Sequence, residues 1–217
     1  MRSVVCLLLL AACGTSGEIE NDAGDAGLLP NGPTDAMALP DAPPECAYRD
    51  LFVNGSFDGG GGWDQRADNG LPVIRPAGEL PIAPTSPPNA AWLAGYSNGT
   101  DRIWQNVRVP DEAQGLYLSA SYCAFTLDDD TDSVDDVLGF LVQDPGNGYD
   151  TFEVAQSLAN LDADPGEGAC TWRSFRVPLD RPYRGKDIRI KIYGTCDGDG
   201  PTDFFLDDVS LDALICP

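Results

Sequence analysis

The last strand-like stretch of this chain places a carboxylate where an apolar side chain is expected. In residues 204–211, FFLDDVSL, Asp207 has the same alternating parity as Phe205, Val209 and Leu211, which is typical of a strand with one buried face. A carboxylate on that face costs several kcal/mol unless a partner compensates it. The sequence therefore predicts a compensating group beside Asp207, unless the register differs and leaves the residue exposed.

The composition limits what this group and any other site can be. The 217 residues carry a formal net charge of -22 and include seven Cys but no His. A metal site must then be built from oxygen or thiolate ligands, and the abundance of Asp favours calcium. A serine or cysteine triad lacks its histidine base. The acidic balance argues against a nucleic-acid partner, which requires a basic surface.

A second group of side chains could bind a ligand rather than a metal. Two predicted strands, 102–109 and 187–193, alternate apolar residues with polar, basic and aromatic ones. If the strands are neighbours, one shared face carries Trp104, Asn106, Arg108, Arg189, Lys191 and Tyr193. The rings offer stacking surface to a sugar, and the polar groups offer hydrogen bonds to hydroxyls or carboxylates. An anionic glycan fits this set best, and the alternative is an ordinary solvated sheet face.

The elements that position these residues are strands. Short runs rich in aromatic and β-branched residues lie between Gly, Pro, Asn and Asp clusters, and no run has a sustained helical period. This pattern predicts an all-β jelly-roll or sandwich. The predicted strands are residues 51–57, 91–96, 102–109, 116–125, 136–142, 151–158, 171–179, 187–193 and 204–214.

Several short motifs follow one another along the predicted domain: Asn54-Gly-Ser-Phe-Asp58, Gly62-Trp63, Trp92-Leu-Ala-Gly-Tyr96, Ile103-Trp-Gln105, Trp172, Arg184-Gly-Lys and Phe204-Phe-Leu-Asp-Asp-Val209. Their order resembles the galactose-binding-like jelly-roll family, which includes many carbohydrate-binding modules. The resemblance covers nearly all of residues 48–214.

The resemblance also implies a structural calcium ion between the opening and closing strands of the domain. The matching carboxylates are Asp58, Asp207 and Asp208, with backbone carbonyls near Asn54 completing the shell. The family pattern usually has Glu at the position of Asp58, so this sequence offers a shorter ligand. The alternative is a salt bridge from Asp207 to an arginine such as Arg49.

The N-terminal region predicts export and anchoring rather than folding. Residues 1–12 combine Arg2 with a short apolar run, as secretion signals do. Leu10-Ala-Ala-Cys13 resembles the lipobox of bacterial lipoproteins, which implies lipidation of Cys13 and attachment to a membrane, with an outer-membrane address. Residues 13–45 are acidic and rich in Pro, Gly and Ala, which predicts a disordered linker. Its Asp-Ala-Gly tracts resemble those of myxobacterial lipoproteins. The β domain then spans residues 46–217.

Five cysteines are left for an oxidising compartment once Cys6 and Cys13 are set aside. Cys46 and Cys216 bracket the domain and could join its ends. Of the other three, at most two can pair, and strand adjacency favours Cys123 with Cys170 over a pair that includes Cys196. Zinc bound by three thiolates is the alternative.

The sequence as a whole predicts a surface-tethered, extracytoplasmic, non-catalytic module that binds carbohydrate and is stabilised by calcium. The main alternative is a structural or adhesive module that binds an envelope protein. An enzyme of unrecognised type is a third reading, because carboxylate pairs can hydrolyse glycosides without histidine.

Overall fold

The computed structural model describes residues 45–129 and 133–217, which all belong to one compact unit. The predicted signal peptide, Cys13 and nearly all of the predicted linker lie outside the described residues. The described chain is built from strands and two short 3-10 turns, Ala77–Glu79 and Asn160–Asp162. The strands are β1 (Ala47–Asp50), β2 (Asp64–Ala67), β3 (Ile74–Pro76), β4 (Asn89–Ala94), β5 (Thr100–Arg108), β6 (Ala113–Thr126), β7 (Val137–Asp144), β8 (Asp150–Ala159), β9 (Asp164–Pro165), β10 (Arg173–Pro178), β11 (Asp187–Thr195) and β12 (Thr202–Ile215).

These strands form two sheets, so the domain is an all-β jelly-roll sandwich. One sheet has seven strands, in the order β10-β6-β12-β4-β3, with β1 added to β12 and β9 added to β6. The other has five strands, in the order β2-β5-β11-β7-β8. The chain passes repeatedly between the sheets, since β4, β6 and β12 belong to the first while β5, β7 and β11 belong to the second. No helix in the described part of the chain is long and apolar enough to cross a membrane.

The core lies between the sheets and follows from the alternation of side chains along each strand. Ile188, Ile190 and Ile192 of β11 are fully buried, while the residues between them point outward. The two sheets meet through an edge-to-face contact between Phe175 of β10 and Phe140 of β7, whose ring centroids lie 5.0 Å apart. The alternation predicted for residues 187–193 is therefore confirmed.

The outer face of the seven-stranded sheet carries a second, smaller apolar cluster. Phe205, Phe125 and Cys123 are buried there, under residues of the segments that follow β3 and precede β10. Trp172 links these two segments by donating its indole N–H to the backbone oxygen of Ala83 at 2.9 Å. Part of this sheet's outer face thus belongs to the folded interior.

Both expected disulfides are present. Cys46 joins Cys216, and Cys123 joins Cys170 within the second cluster. Cys196 is a free, buried thiol, and burial raises the pKa of this thiol to about 12. The disulfides confirm the expected pairs over the pairing that includes Cys196.

One predicted strand is wrong. Residues 51–57 form a turn-rich loop, in which Asn54 and Phe57 have positive φ angles of 61° and 62°. The strand lies just before it, at Ala47–Asp50, and pairs with β12. The loop still docks on β12, because the N–H of Val209 donates to the oxygen of Gly55 at 2.9 Å. Left-handed backbone at Asn54 and Phe57 prevents a regular ladder, and alternation alone does not reveal it.

The parity expected for residues 204–211 is also corrected. A register irregularity lies between Asp207 and Ser210, and Asp208 has a φ of 48°. Phe205 therefore points into the outer cluster, while Val209 and Leu211 point into the main core. A β-bulge of this kind reverses the alternation along a strand, so apolar residues on its two sides do not share a face.

Candidate functional site

Strands β5 and β11 are adjacent and antiparallel, as expected from the sequence. Their register places Trp104 opposite Lys191 and Asn106 opposite Arg189. The apolar partners of the alternation are buried beneath the sheet, so the predicted ligand-binding side chains share its outer side. We call this surface the open face and define it by Trp104, Asn106, Arg108, Arg189, Lys191, Tyr193 and the neighbouring Tyr149.

Arg189 is a cation of the open face that contacts two aromatic rings and an amide. Its guanidinium carbon lies 3.7 Å from the ring centroid of Tyr149 and 5.4 Å from that of Trp104. Its Nε–H donates to Oδ1 of Asn106 at 2.9 Å. Two rings and one amide thus fix the orientation of this side chain.

Tyr149 was missed by the sequence reasoning. It lies in the turn between β7 and β8, is 43% exposed and has a φ of 65°. The only sequence signal is an aromatic residue in a Gly-Asn-Gly-Tyr turn, which is unusual because hairpin turns favour small polar residues. The pairing of β7 with β11 brings this turn to Arg189.

Lys191 and Tyr193 form the other part of the open face. The Lys191 Nζ lies 5.5 Å from the centroid of the Tyr193 ring. The ring lies flat over Gly139 of β7, where any side chain would collide with it. Burial, followed by the nearby charges of Arg102 and Arg189, lowers the pKa of Lys191. The cations of this face therefore repel one another.

Acidic partners neutralise some of these cations and leave others unpaired. Arg108 pairs with Asp187 at 3.3 Å, and the neighbouring Arg102 pairs with Asp68 at 3.3 Å. Within residues 45–129 and 133–217, Arg189 and Lys191 form no ion pair. The structure thus brings all six predicted ligand residues to one face, but only Arg189 and Lys191 keep an uncompensated charge.

Asp207 is fully buried, and polar groups rather than an arginine surround it. Its Oδ2 accepts hydrogen bonds from the Thr85 hydroxyl at 2.9 Å and the Ser86 amide at 2.8 Å. Its Oδ1 accepts from the Ser86 hydroxyl at 3.0 Å and the Asp208 amide at 2.8 Å. Burial raises the pKa of Asp207 and these donors partly offset the rise. No described residue forms an ion pair with it, so the salt bridge to Arg49 is not formed.

Asp208 shares the same two hydroxyls. The Thr85 Oγ1 lies 3.0 Å from Asp208 Oδ2, and the Ser86 Oγ lies 2.7 Å from Asp208 Oδ1. Each hydroxyl has one proton and cannot donate to two carboxylates at once. Two carboxyl groups therefore share two hydroxyl groups in a set of six oxygen atoms, with no cationic side chain of the described residues among them.

Asp58 does not join this oxygen set. It is exposed, and among the described residues no group of three or more His, Cys, Asp or Glu is arranged to hold a metal ion. The loop that carries Asp58 docks on β12 through the backbone oxygen of Gly55, which accepts the N–H of Val209, the residue after Asp208. Of the three predicted metal ligands, the structure thus brings together Asp207 and Asp208 only, and adds Thr85 and Ser86.

No family model and no curated protein matches this sequence. Several solved structures are similar in shape. The module TmCBM61, in complex with β-1,4-galactotriose, has a TM-score of 0.47 at 15% identity over 75% of this chain and 97% of that chain. A family 11 carbohydrate-binding module from Clostridium thermocellum, in complex with a mixed-linked tetrasaccharide, has a TM-score of 0.42 at 14% identity over 75% and 94%.

A further similar structure is a cyclase. The Stig cyclase Fisc from Fischerella sp. TAU has a TM-score of 0.48 at 14% identity, over 79% of this chain and 100% of that chain. At these identities and TM-scores, the similarity carries no function over to this chain.

Proposed function

We propose that this chain is a carbohydrate-binding module and that its binding site is the open face. The observation that carries the proposal is the arrangement around Arg189, which is held between Trp104 and Tyr149 and oriented by Asn106. A rigid row of rings and hydrogen-bond donors on a sheet surface requires little reordering when a ligand binds, and this lowers the entropic cost of binding.

The chemistry of the open face suits a sugar. The apolar C–H side of a pyranose ring can stack on Trp104 and on the exposed ring of Tyr149. The outer edge of the Arg189 guanidinium and the Lys191 ammonium can donate hydrogen bonds to hydroxyl or carboxylate oxygens. No base or nucleophile is required for this role, so we propose binding without catalysis.

Replacing Trp104 by Ala tests the proposal. We expect a glycan array to identify a ligand, and Trp104→Ala to weaken its binding at least tenfold with little change in the unfolding midpoint. The matched control is Tyr117→Ala, which removes an aromatic ring from the outer face of the other sheet and should leave the affinity unchanged. Retained affinity in Trp104→Ala would show that the open face is not the site.

We also propose that a calcium ion stabilises the closing strand. The ligands would be the carboxylates of Asp207 and Asp208 and the hydroxyls of Thr85 and Ser86, all hard oxygens of the kind that calcium binds. Asp208 lies at a bulge with left-handed backbone, a conformation that costs free energy and brings its carboxylate beside that of Asp207. When bound, the ion neutralises the two carboxylates and links β12 to the segment before β4.

Chelation tests the calcium proposal independently of any glycan. We expect EDTA to lower the unfolding midpoint and added calcium to restore it, since a ligand present at 100 times its Kd stabilises by about 2.7 kcal/mol. Asp207→Asn should abolish the calcium response, whereas Asp58→Asn should keep it. An unchanged midpoint in EDTA would contradict the site, and loss of the response in Asp58→Asn would restore the ligand set predicted from the sequence.

We further propose that the domain works outside the cytoplasm, tethered by lipid at Cys13. The support is the resemblance of Leu10-Ala-Ala-Cys13 to a lipobox and the two disulfides, which are typical of oxidising compartments. Two or more acyl chains anchor a protein stably, where one chain is marginal. We expect Cys13→Ser to move the protein from the membrane fraction to the soluble fraction.

A further inference from the structure

The unpaired cations of the open face continue beyond it, toward a cavity at the end of the five-stranded sheet. The cavity has a volume of about 630 Å³ and is lined by Asp144, Pro145, Gly146, Phe152, Lys186 and Asp187. Tyr149 lies in the same β7–β8 turn as Pro145 and Gly146, so one hairpin forms the side of both the cavity and the open face.

We propose that the ligand is an acidic polysaccharide that lies along β11, with its carboxylate or sulfate groups bound by Lys191, Arg189 and Lys186. This inference rests on the proposed carbohydrate-binding function and specifies the class of glycan. It also assigns the cavity beside Lys186 as a further subsite, beyond the residues expected from the sequence.

The spacing of the three cations favours a chain over a single sugar. Lys191 and Arg189 leave the same face of β11 and are separated by roughly 7 Å along the strand, at about 3.3 Å per residue. Lys186 directly precedes β11 and lies at its end beside the cavity, roughly 10 Å beyond Arg189 at the same rise. Positive groups spread from the open face to the cavity match a ligand that repeats its negative charge along its length.

Neither of the two acids that line the cavity, Asp144 and Asp187, forms an ion pair with these cations. Asp187 pairs with Arg108, and Asp144 Oδ1 accepts the Gly146 N–H within its own turn at 2.8 Å. Lys186, Arg189 and Lys191 form no ion pair with any residue that the structure describes. The Lys186 ammonium instead lies 5.9 Å from the Phe152 ring centroid. Three cations without an ion pair, two on the open face and one beside the cavity, are notable in a chain whose net charge is -22.

A bound anion would relieve the repulsion among these cations. Lys191 has a lowered pKa because it is partly buried and lies near Arg102 and Arg189, so its charged form is held at a cost. Negative groups of a ligand would offset that cost. The strongly negative overall charge repels polyanions at long range, so any polyanion that binds must be recognised locally.

Polymers that differ only in charge test the inference. We choose two pairs of probes: polygalacturonate with its fully methyl-esterified form, and dextran sulfate with dextran. We expect a charged member of at least one pair to bind at least tenfold more tightly than its neutral partner, and its oligomers to bind at least tenfold more tightly than its monomer. Binding should weaken as salt is raised.

Variants connect the charge preference to the three cations. Arg189→Gln combined with Lys191→Gln should remove the preference for the charged polymer. Lys186→Gln should weaken binding of the oligomer severalfold and leave binding of the monomer unchanged. Arg181→Gln is the control, since this exposed arginine has the same charge and is not one of the three cations assigned to the ligand. The unfolding midpoint of each variant shows that it is folded.

The results separate this inference from the proposed function. Trp104-dependent binding of neutral glycans only, or of both members of a pair equally, overturns the inference and leaves the carbohydrate-binding function standing. Failure of every polymer and every array glycan overturns both. Single-stranded DNA is included as a different polyanion, and binding of it as tight as that of the charged polysaccharide would overturn the assignment to a glycan.

Discussion

The two sheets of this sandwich each place an arginine between two aromatic rings, with opposite outcomes. On the seven-stranded sheet, Arg176 lies over Tyr48 and Tyr117 and pairs with Asp212 at 2.7 Å. Its side chain is only 11% exposed. On the five-stranded sheet, Arg189 lies between Trp104 and Tyr149 and is oriented by the neutral amide of Asn106.

The partner of the guanidinium accounts for the difference. A carboxylate such as Asp212 orients the guanidinium and neutralises it, so the group can be buried as part of the structure. An amide such as Asn106 orients the group but leaves its charge uncompensated, which keeps it available for an external anion. The same residue types therefore stabilise the fold on one sheet and form a candidate site on the other.

The largest effect on stability is expected from the buried arginine. Arg176→Met leaves the largely buried Asp212 without its cation, and we expect the free energy of unfolding to fall by about 3 kcal/mol. Urea denaturation of the variant measures this. A loss below about 0.5 kcal/mol would mean that the Arg176 pair contributes no more than an exposed ion pair does.

The seven-stranded sheet also buries an acid, Asp203, that forms no ion pair with any described residue. Asp203 accepts the Trp92 indole N–H at 2.6 Å, yet burial raises the pKa of Asp203 to about 6. Because the folded state then holds this proton more tightly than the unfolded state, this residue's contribution to stability is lost as the pH rises from about 4 through 6.

Asp203→Asn removes the cost of ionising a buried carboxyl group and keeps an oxygen that accepts the hydrogen bond from Trp92. We expect the variant to be more stable than the wild type by about 2 kcal/mol at pH 7 and equal to it near pH 4. Denaturant unfolding at both pH values gives the difference. A variant that is less stable at pH 7 would show that the charged carboxylate is required there.

On the open face, the corresponding arginine should affect binding rather than stability. Arg189→Met should weaken glycan binding about tenfold, or about 1.4 kcal/mol, and change the free energy of unfolding by less than about 1 kcal/mol. Calorimetry with the array ligand and urea denaturation give the two values. If Arg189→Met instead destabilises the fold as much as Arg176→Met, the contrast between the faces fails.

The smallest effect on the free energy of unfolding is expected at Lys191. Its charge is opposed by its neighbours, so Lys191→Gln should change the free energy of unfolding by no more than about 0.5 kcal/mol. A clear loss of stability would mean that the ammonium has a structural partner. Thermal unfolding beside the control Arg181→Gln resolves this.

The open face was largely predictable because its residues lie on two regular strands. Alternation along β5 and β11 identified six of its seven side chains, and the fold class made the strands neighbours. Tyr149 was not predictable, since it belongs to a turn whose position depends on how β7 pairs with β11. Of the oxygen set around Asp207, the sequence identified Asp207 and Asp208 but not Thr85 and Ser86. The bulge at Asp208 and the docking of Thr85 and Ser86 leave no periodic signal in the sequence.

By itself, the sequence determined that the domain is all-β and which side chains leave each face of the regular strands β5 and β11, and it favoured the Cys123–Cys170 disulfide without determining it. These are consequences of local alternation, turn residues and strand adjacency. Only the tertiary structure decided which cations stay unpaired and which groups surround Asp207. Those outcomes depend on contacts between segments that are distant in the chain, such as Thr85 with Asp207 and Tyr149 with Arg189, and their geometry is set by the packing of the whole sandwich.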